Sequence, residues 1–390
     1  MSEVENKRTV GILTAGHFFI DSYSGFITPV LPFIAQKLDI TIAIVSVIMS
    51  MAHLASSVMQ PIFGYISDII TRRFFIIWGL ILASLFICLT GVVSNVWSLA
   101  LCIIIGCVGV AFYHPQASSL TARFSGHNLN KNMGLFIACG TLGYASGPII
   151  SSFLVEKFGL ESIIWGIIPG FTIALLVWIY MPKIPKIERK EPVANIFNVF
   201  KYIVKNKDMM ILTVIAVIKS LIVMTFCTYM PFLWKSKGYN VFLIGNIIGL
   251  FSLVGGVSSY ISGQIANKLG KKNVFYISLI FMTVVGLSCL HFVNIFPKLS
   301  LFLFVVTGFF TNFSVGINMS MAQQALPEYK GVVSGIIGGL SWGLVGLCLA
   351  PLGFVVSHFG IQNVLSVIAI VPILGVLFVK NISKELCSKI

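Results

Sequence analysis

Apolar residues fall into runs of about twenty or more, broken by short polar intervals, without the strict alternation of a half-buried strand. Twelve runs can be read, at residues 10–34, 42–66, 74–93, 97–122, 132–155, 162–181, 209–233, 241–266, 274–293, 299–325, 332–357 and 362–380. Each is of the length that crosses the ~30 Å hydrocarbon core as a helix. Continuous apolar runs of this length exclude the alternating strands of an outer-membrane barrel, so the spans are helices, whose backbone groups are satisfied within the segment. The expectation is an all-α integral membrane protein with twelve transmembrane helices. The first run has no small-residue cleavage site and is too long for a signal peptide, so it is read as a retained span.

Composition agrees with the pattern. The 390 residues are 57% hydrophobic and 10% charged, with a mean hydropathy of +0.99, whereas a water-soluble domain carries about a quarter charged residues. The net charge of +14 is a topology signal, because positively charged loops stay cytoplasmic. One set of span ends, with the tails and the central segment, carries 20 Lys and Arg; the other carries 5. Both termini are therefore expected in the cytoplasm of a cell lying beneath its inner membrane, and the excess charge attracts anionic headgroups of the lipid bilayer. A nucleic-acid partner is not needed to explain it. Of the eight cysteines, seven lie inside apolar runs and none forms a CxxC or metal-like spacing, so they read as packing residues, with no metal and no cofactor expected.

The longest polar segment, residues 182–208, separates six runs from six, and the two sides echo one another. GYISDIITRR (Gly64 to Arg73) follows the second run and GQIANKLGKK (Gly263 to Lys272) the eighth; Gly64 matches Gly263, and the pair Arg72 and Arg73 matches Lys271 and Lys272, at an offset of 199. GTLGYASGP in the fifth run is echoed by GLVGLCLAP in the eleventh. The organisation expected is an N-terminal six-helix bundle at 1–181, a cytoplasmic linker at 182–208 and a C-terminal six-helix bundle at 209–390, a duplication typical of transporters whose site lies between the repeats.

GYISDIITRR resembles the loop signature of the major facilitator superfamily, G-x-x-x-D-x-x-G-[RK]-[RK], and Gly143-x3-Gly147-Pro148 resembles the glycine-proline motif of its drug antiporters. Through GHFFIDSYSG, SSVMQPIFGYISD, FYHPQASSLTAR and MAQQALPEYKGVVSG the chain is similar to the fosmidomycin-resistance group of efflux proteins. The resemblance implies two pseudo-symmetric bundles in the major facilitator fold, drug resistance by efflux, and a cytoplasmic latch formed by Gly64, Asp68, Arg72, Arg73, Gly263, Lys271 and Lys272. It departs from the pattern at Ile69, Thr71 and Asn267, and at Gln116 and Gln324, where glutamates often stand in the family; that removes two proton carriers. Gly143, Gly147 and Pro148 are read as helix-packing positions, since small residues let helices approach closely and proline bends them.

Of twelve acidic residues only Asp21 lies mid-span, and of 26 bases only Lys219 is comparably deep. A charge at such depth is costly and marks function by default. Thr14, His17, Asp21, Ser24 and Thr28 recur every three or four residues, which gathers them on one stripe of the first span. Thr311, Ser314 and Asn318 form a weaker stripe in the tenth. Asp21 is expected to bind and release a proton, with Lys219 either pairing with it or receiving a substrate's negative charge. His114, beside Pro115, can carry a proton or bind an anion, and His17 can orient Asp21. Tyr113, Gln116, Ser24, Asn318 and Gln324 complete the candidate substrate-binding set. The plainer alternative is that the hydroxyls and amides make interhelical hydrogen bonds worth ~0.6 kcal/mol each, and that Asp21 and Lys219 form a static bridge.

No phosphate-binding GxxxxGK[ST] occurs and no polar stretch is large enough to form an ATPase, so the drive must come from a gradient or from the substrate itself. A proton-coupled antiporter exporting small anionic or amphipathic compounds by alternating access, acting as a monomer, accounts best for these features. An importer or facilitator of a small metabolite such as an organic acid is the alternative. An enzyme would need a clustered acid, base or metal set, which the chain does not show in sequence, and a receptor would make no use of the repeat.

Overall fold

The computed structural model describes residues 5–69, 73–182, 205–327, 333 and 335–388; within these, the side chains of residues 61, 64, 65, 67–69, 130 and 388 are left aside. The described residues are almost wholly helical: α1 (Lys7–Phe26), α2 (Leu31–Lys37), α3 (Ile42–Ile69), α4 (Phe74–Leu89), α5 (Val96–Phe124), α6 (Leu129–Phe158), α7 (Ile167–Tyr180), α8 (Lys207–Ser236), α9 (Val241–Leu269), α10 (Lys271–Phe292), α11 (Pro297–Asn312), α12 (Val315–Ala325), α13 (Ser341–Phe359), α14 (Ile361–Val379) and α15 (Lys384–Ser388). Ten segments are long and apolar enough to cross a membrane; α1 with α2 is an eleventh, bent by 48°, and α4 is a shorter apolar helix of 16 residues. Together they occupy the positions of the twelve apolar runs.

Three runs depart from straight spans. The first breaks at Ile27–Val30, where Pro29 supplies no backbone donor, and restarts at α2 with Pro32 in its first turn. The tenth is interrupted between α11 and α12 at Phe313 and Ser314. The eleventh begins with a π-helical turn, Ile336–Leu340, ahead of α13. The latch residue Arg72 and most of the linker, 183–204, lie outside the described residues, as do the surroundings of Gly64 and the side chain of Asp68.

The polarity is inside-out relative to a water-soluble protein. Leu101, Ile137, Leu175, Phe302, Val367 and Leu377 are exposed, whereas Ser84, Ser152, Thr225, Ser258 and Ser278 are buried. Hydrocarbon solvates the former; the latter satisfy themselves by donating to carbonyls, as Ser84 does to Leu80, Thr225 to Leu221 and Ser258 to Phe309.

Two compact units are present. The first comprises residues 1–188, 231–249 and 346–354; the second comprises 189–230, 250–345 and 355–390. In the first, α1 packs most extensively on α6, and α4 and α3 on α5. The α1–α6 seam is made by glycines: a Cβ at Gly143 would overlap the carbonyl of Phe18, one at Gly147 that of Ser22, and one at Gly25 would lie 2.7 Å from the carbonyl oxygen of Tyr144. Pro148, within α6, lies on the same seam against Gly25. The first unit also takes in the start of α9, where Gly249 approaches the carbonyl of Ala145 and Gly245 the side chain of Ser152, and part of α13, where Gly346 abuts His53. Lys235 donates to Gln36 at 2.5 Å in the same unit, and Asn240 to Glu156 at 3.2 Å. In the second, α10 is sandwiched between α11 and α14.

Candidate functional site

Asp21 and His17 are one turn apart on α1, so both project from the same face. The seam with α6 then places Gly140 against them, at a point where a Cβ would run into the His17 ring and lie 2.7 Å from Asp21 Oδ2. Helix α5 supplies His114. The result is a carboxylate held between two imidazoles: His17 Nε2 lies 3.3 Å from Asp21 Oδ2, and His114 Nε2 lies 3.1 Å from Asp21 Oδ1. The three side chains are 10%, 18% and 27% exposed for His17, Asp21 and His114, which leaves the cluster reachable but mostly shielded.

The His17 ring is fixed from its far side. Its Nδ1 is 2.7 Å from the carbonyl oxygen of Phe136, and the Phe136 ring stacks on it at 3.9 Å between centroids and 17° between planes. A carbonyl only accepts, so Nδ1 carries a hydrogen. Nε2 of a neutral His17 then presents a lone pair to a carboxylate that also only accepts. The contact is attractive only when a further proton sits on one of the two groups, as imidazolium or as carboxylic acid. His114, in its Nε2–H form, donates to the other oxygen without any such requirement. The geometry therefore distinguishes the two histidines: one orients the acid, and the other shares a proton with it.

Tyr113, one residue before His114, is fully buried and donates to the carbonyl of Leu13 at 2.5 Å, so its hydroxyl ties α5 to α1 beneath the cluster. Gln116 is also fully buried, and neither of its amide atoms has a hydrogen-bond partner among the described residues. Ser24 donates to Ile20 within α1. The stripe expected from sequence is thus divided: Asp21 and Ser24 are half-buried, whereas Thr14 and His17 are buried.

Lys219 stands in the second unit. It is 3% exposed, and its Nζ donates to Ser278 Oγ at 3.0 Å and to Ser314 Oγ at 2.6 Å. Ser278 in turn donates to the carbonyl of Phe310, and the break between α11 and α12 is what turns the Ser314 hydroxyl toward the amine. Within its own unit Asp21 is bonded to two histidines and Lys219 to two hydroxyls, and no carboxylate is bonded to Lys219 among the described residues. Nearby, Asn318 donates to the carbonyl of Leu212 at 3.1 Å. Gln324 lies apart from these groups in bonding terms, accepting from Lys271 at 3.1 Å.

The basic loop residues cap helix ends. Arg73 donates to the carbonyls of Trp178 at 2.8 Å and Met181 at 2.9 Å, at the end of α7. Lys272 donates to those of Lys380 at 3.2 Å and Ile382 at 2.7 Å, at the end of α14. Cations there meet both the orphan carbonyls and the negative end of the helix dipole. Arg73 and Lys272 are related by the offset of 199, and so are Met181 and Lys380, so duplicated positions do duplicated work. None of the eight cysteines forms a disulfide.

The sequence profile of the Major Facilitator Superfamily matches residues 13–351. This chain belongs to the Major Facilitator Superfamily. It is a multi-pass membrane transporter and not an enzyme. Among superfamily members it is 23% identical to the fosmidomycin resistance protein of Escherichia coli (strain K12), over 94% of this chain and 91% of that protein. It is 22% identical to the sialic acid transporter NanX of the same strain, over 87% and 85%. Its fold matches that of nucleoside transporter NupG with a TM-score of 0.81 at 15% identity, covering 96% of this chain and 99% of the other. A bacterial homologue of the human lysosomal transporter Spinster, in an inward-facing and unoccupied conformation, matches with a TM-score of 0.76 at 14% identity over 97% of each chain. The superfamily assignment carries a small-molecule substrate with it.

Proposed function

We propose that this transporter is a proton-coupled antiporter that exports small anionic or amphipathic compounds by alternating access, working as a monomer in the inner membrane with both termini cytoplasmic. The observation that carries the reading is the proton demanded by the His17–Asp21 contact: with Nδ1 committed to Phe136, the pair is attractive only when protonated, so arrival or loss of one proton remakes the α1–α5–α6 junction. Asp21 and His17 share the coupled proton, and His114, which donates to the other carboxylate oxygen whether or not that proton is present, orients Asp21. Lys219 is the natural counterpart for a negatively charged substrate group, since a buried ammonium whose partners among the described residues are hydroxyls gains from a counter-ion. The repeat offset supports working halves at 1–181 and 209–390 joined by the linker 182–208, with the Arg73 and Lys272 caps as the parts of the latch that hold helix ends within each half. Similarity to both a fosmidomycin resistance protein and a sialic acid transporter leaves a second reading, uptake of an organic acid, which Gln116 and Gln324 favour by carrying no acid at positions where one could serve export.

The test is reconstitution into vesicles with a trapped pH-sensitive dye, scanning a panel of candidate compounds under an imposed proton gradient. Substrate-evoked proton flux in the wild type and its loss in Asp21→Asn, with substrate exchange retained, is the expected result. Undiminished coupling in Asp21→Asn refutes the assignment. The sign of net substrate movement against the gradient separates export from import.

A further inference from the structure

We infer that His17, Asp21 and His114 form a binding site for a divalent transition-metal cation of the Zn2+, Ni2+ and Co2+ class. One ligand atom from each residue lies within 4.8 Å of the others. The two imidazole-to-carboxylate separations, 3.3 Å and 3.1 Å, can be compared with what a metal requires. Bond lengths of about 2.0–2.2 Å to nitrogen and oxygen set ligand-to-ligand edges of about 3.3–3.5 Å around a tetrahedral ion and about 2.9 Å around an octahedral one. Both separations, to the two oxygens of the one carboxylate, fall at or between those values, and the 4.8 Å within which all three ligand atoms lie has to close by about 1 Å around a shared ion. The donor set of two imidazoles and one carboxylate is the borderline-soft mixture that suits these cations rather than Ca2+ or Mg2+.

Three features beyond the cluster itself point the same way. His17 donates its other ring nitrogen to a backbone carbonyl, the outer-shell arrangement that fixes the tautomer of metal-ligating histidines and leaves Nε2 with its lone pair inward. Stacking on Phe136 fixes the plane of the same ring. Gly140 leaves space for the pair, since a Cβ there would overlap the His17 ring. With three protein ligands, a fourth position stays open to water or to an anionic group of a substrate. A metal ion occupies the lone pair that the proton otherwise holds, so the inference rests on the same side chains as the coupling proposal but not on coupling being correct.

The experiment uses the full chain purified in detergent and stripped with a chelator, titrated with Co2+ and with Ni2+ by calorimetry, with the visible spectrum of the Co2+ form recorded. Co2+ is chosen because the eight cysteines, none of them in a disulfide, would compete for softer ions, and thiolate ligation shows in its spectrum. One site per chain with a nitrogen–oxygen spectrum is expected. His114→Ala and Asp21→Asn should weaken binding by about 100-fold and Gly140→Ala by at least about 10-fold, while His127→Ala, on the 3-10 turn before α6, should change nothing. Elution of each variant as a single species shows that it is folded; where His114→Ala is not, His114→Gln replaces it and should show the same loss. Absence of binding, a thiolate spectrum, or binding that survives both Asp21→Asn and the His114 variant overturns the inference. Proton flux is not read in this experiment, so failure of metal binding and failure of the coupling proposal are seen separately.

Discussion

Replacing Gly143 with alanine should loosen the α1–α6 seam, and the structure says by how much. A Cβ built on Gly143 overlaps the carbonyl oxygen of Phe18 and lies 2.8 Å from its carbonyl carbon and 2.9 Å from its Cα. All three are main-chain atoms, so no rotamer change can clear the space. Carbon atoms settle at about 3.5–4.0 Å, which means that α1 has to retreat by about 1 Å. A gap of ~0.5–1 Å forfeits a quarter to a half of the dispersion well of every atom pair along the seam. Insertion of a methyl group into such a contact costs about 1–3 kcal/mol, offset by the ~0.8–1.0 kcal/mol by which alanine exceeds glycine in helix propensity. A net loss of up to about 2 kcal/mol follows. Gly134, nine residues earlier on the same helix, has nothing within 4 Å of its Cβ position, so Gly134→Ala should carry the propensity gain alone. The two variants should therefore move stability in opposite directions, by about 2 kcal/mol in all. Thermal unfolding in detergent, read by size-exclusion of the surviving fraction, measures the difference. Shifts of the same sign and size in both would refute the packing argument for this seam.

Other consequences can be checked with the same protein. Lys219→Met should abolish transport of anionic compounds while sparing neutral amphipathic ones, measured as uptake into or efflux from vesicles; equal loss for both would remove Lys219 from substrate recognition. Arg73→Ala and Lys272→Ala should each cost about 1 kcal/mol in thermal stability, and by similar amounts, because each removes a cation from two carbonyls at a helix end. At the N-terminus, the hydrogen bond from Asn132, with a second from Asn128, holds the Glu5 carboxyl below the usual glutamate range. A depressed carboxyl contributes stability above its unfolded value and loses it as pH falls through the folded one, so the tether should be intact at neutral pH and released only once pH falls below the ordinary glutamate range. Hydrogen exchange of the residues flanking Glu5 should accelerate across that window, and Glu5→Gln should flatten the dependence.

The number and order of spans were legible because membrane helices are selected by a local property, some twenty apolar residues in succession, which needs no knowledge of neighbours. The duplication was legible for a similar reason: Arg73 and Lys272 cap equivalent helix ends at the sequence offset that relates them. Asp21 stood out by cost alone, and His17 one turn away by helical spacing. What joins them could not be read in this way. His114 is brought to Asp21 by packing between helices far apart in sequence, and the sequence fixes no rotation of one helix about its axis relative to another. The proton in the His17–Asp21 contact depends on a backbone carbonyl, that of Phe136, and every residue has one; only the fold decides which carbonyl a ring nitrogen meets. Local energetics wrote the spans into the chain, while the chemistry of the site came from contacts that exist only once those spans are packed.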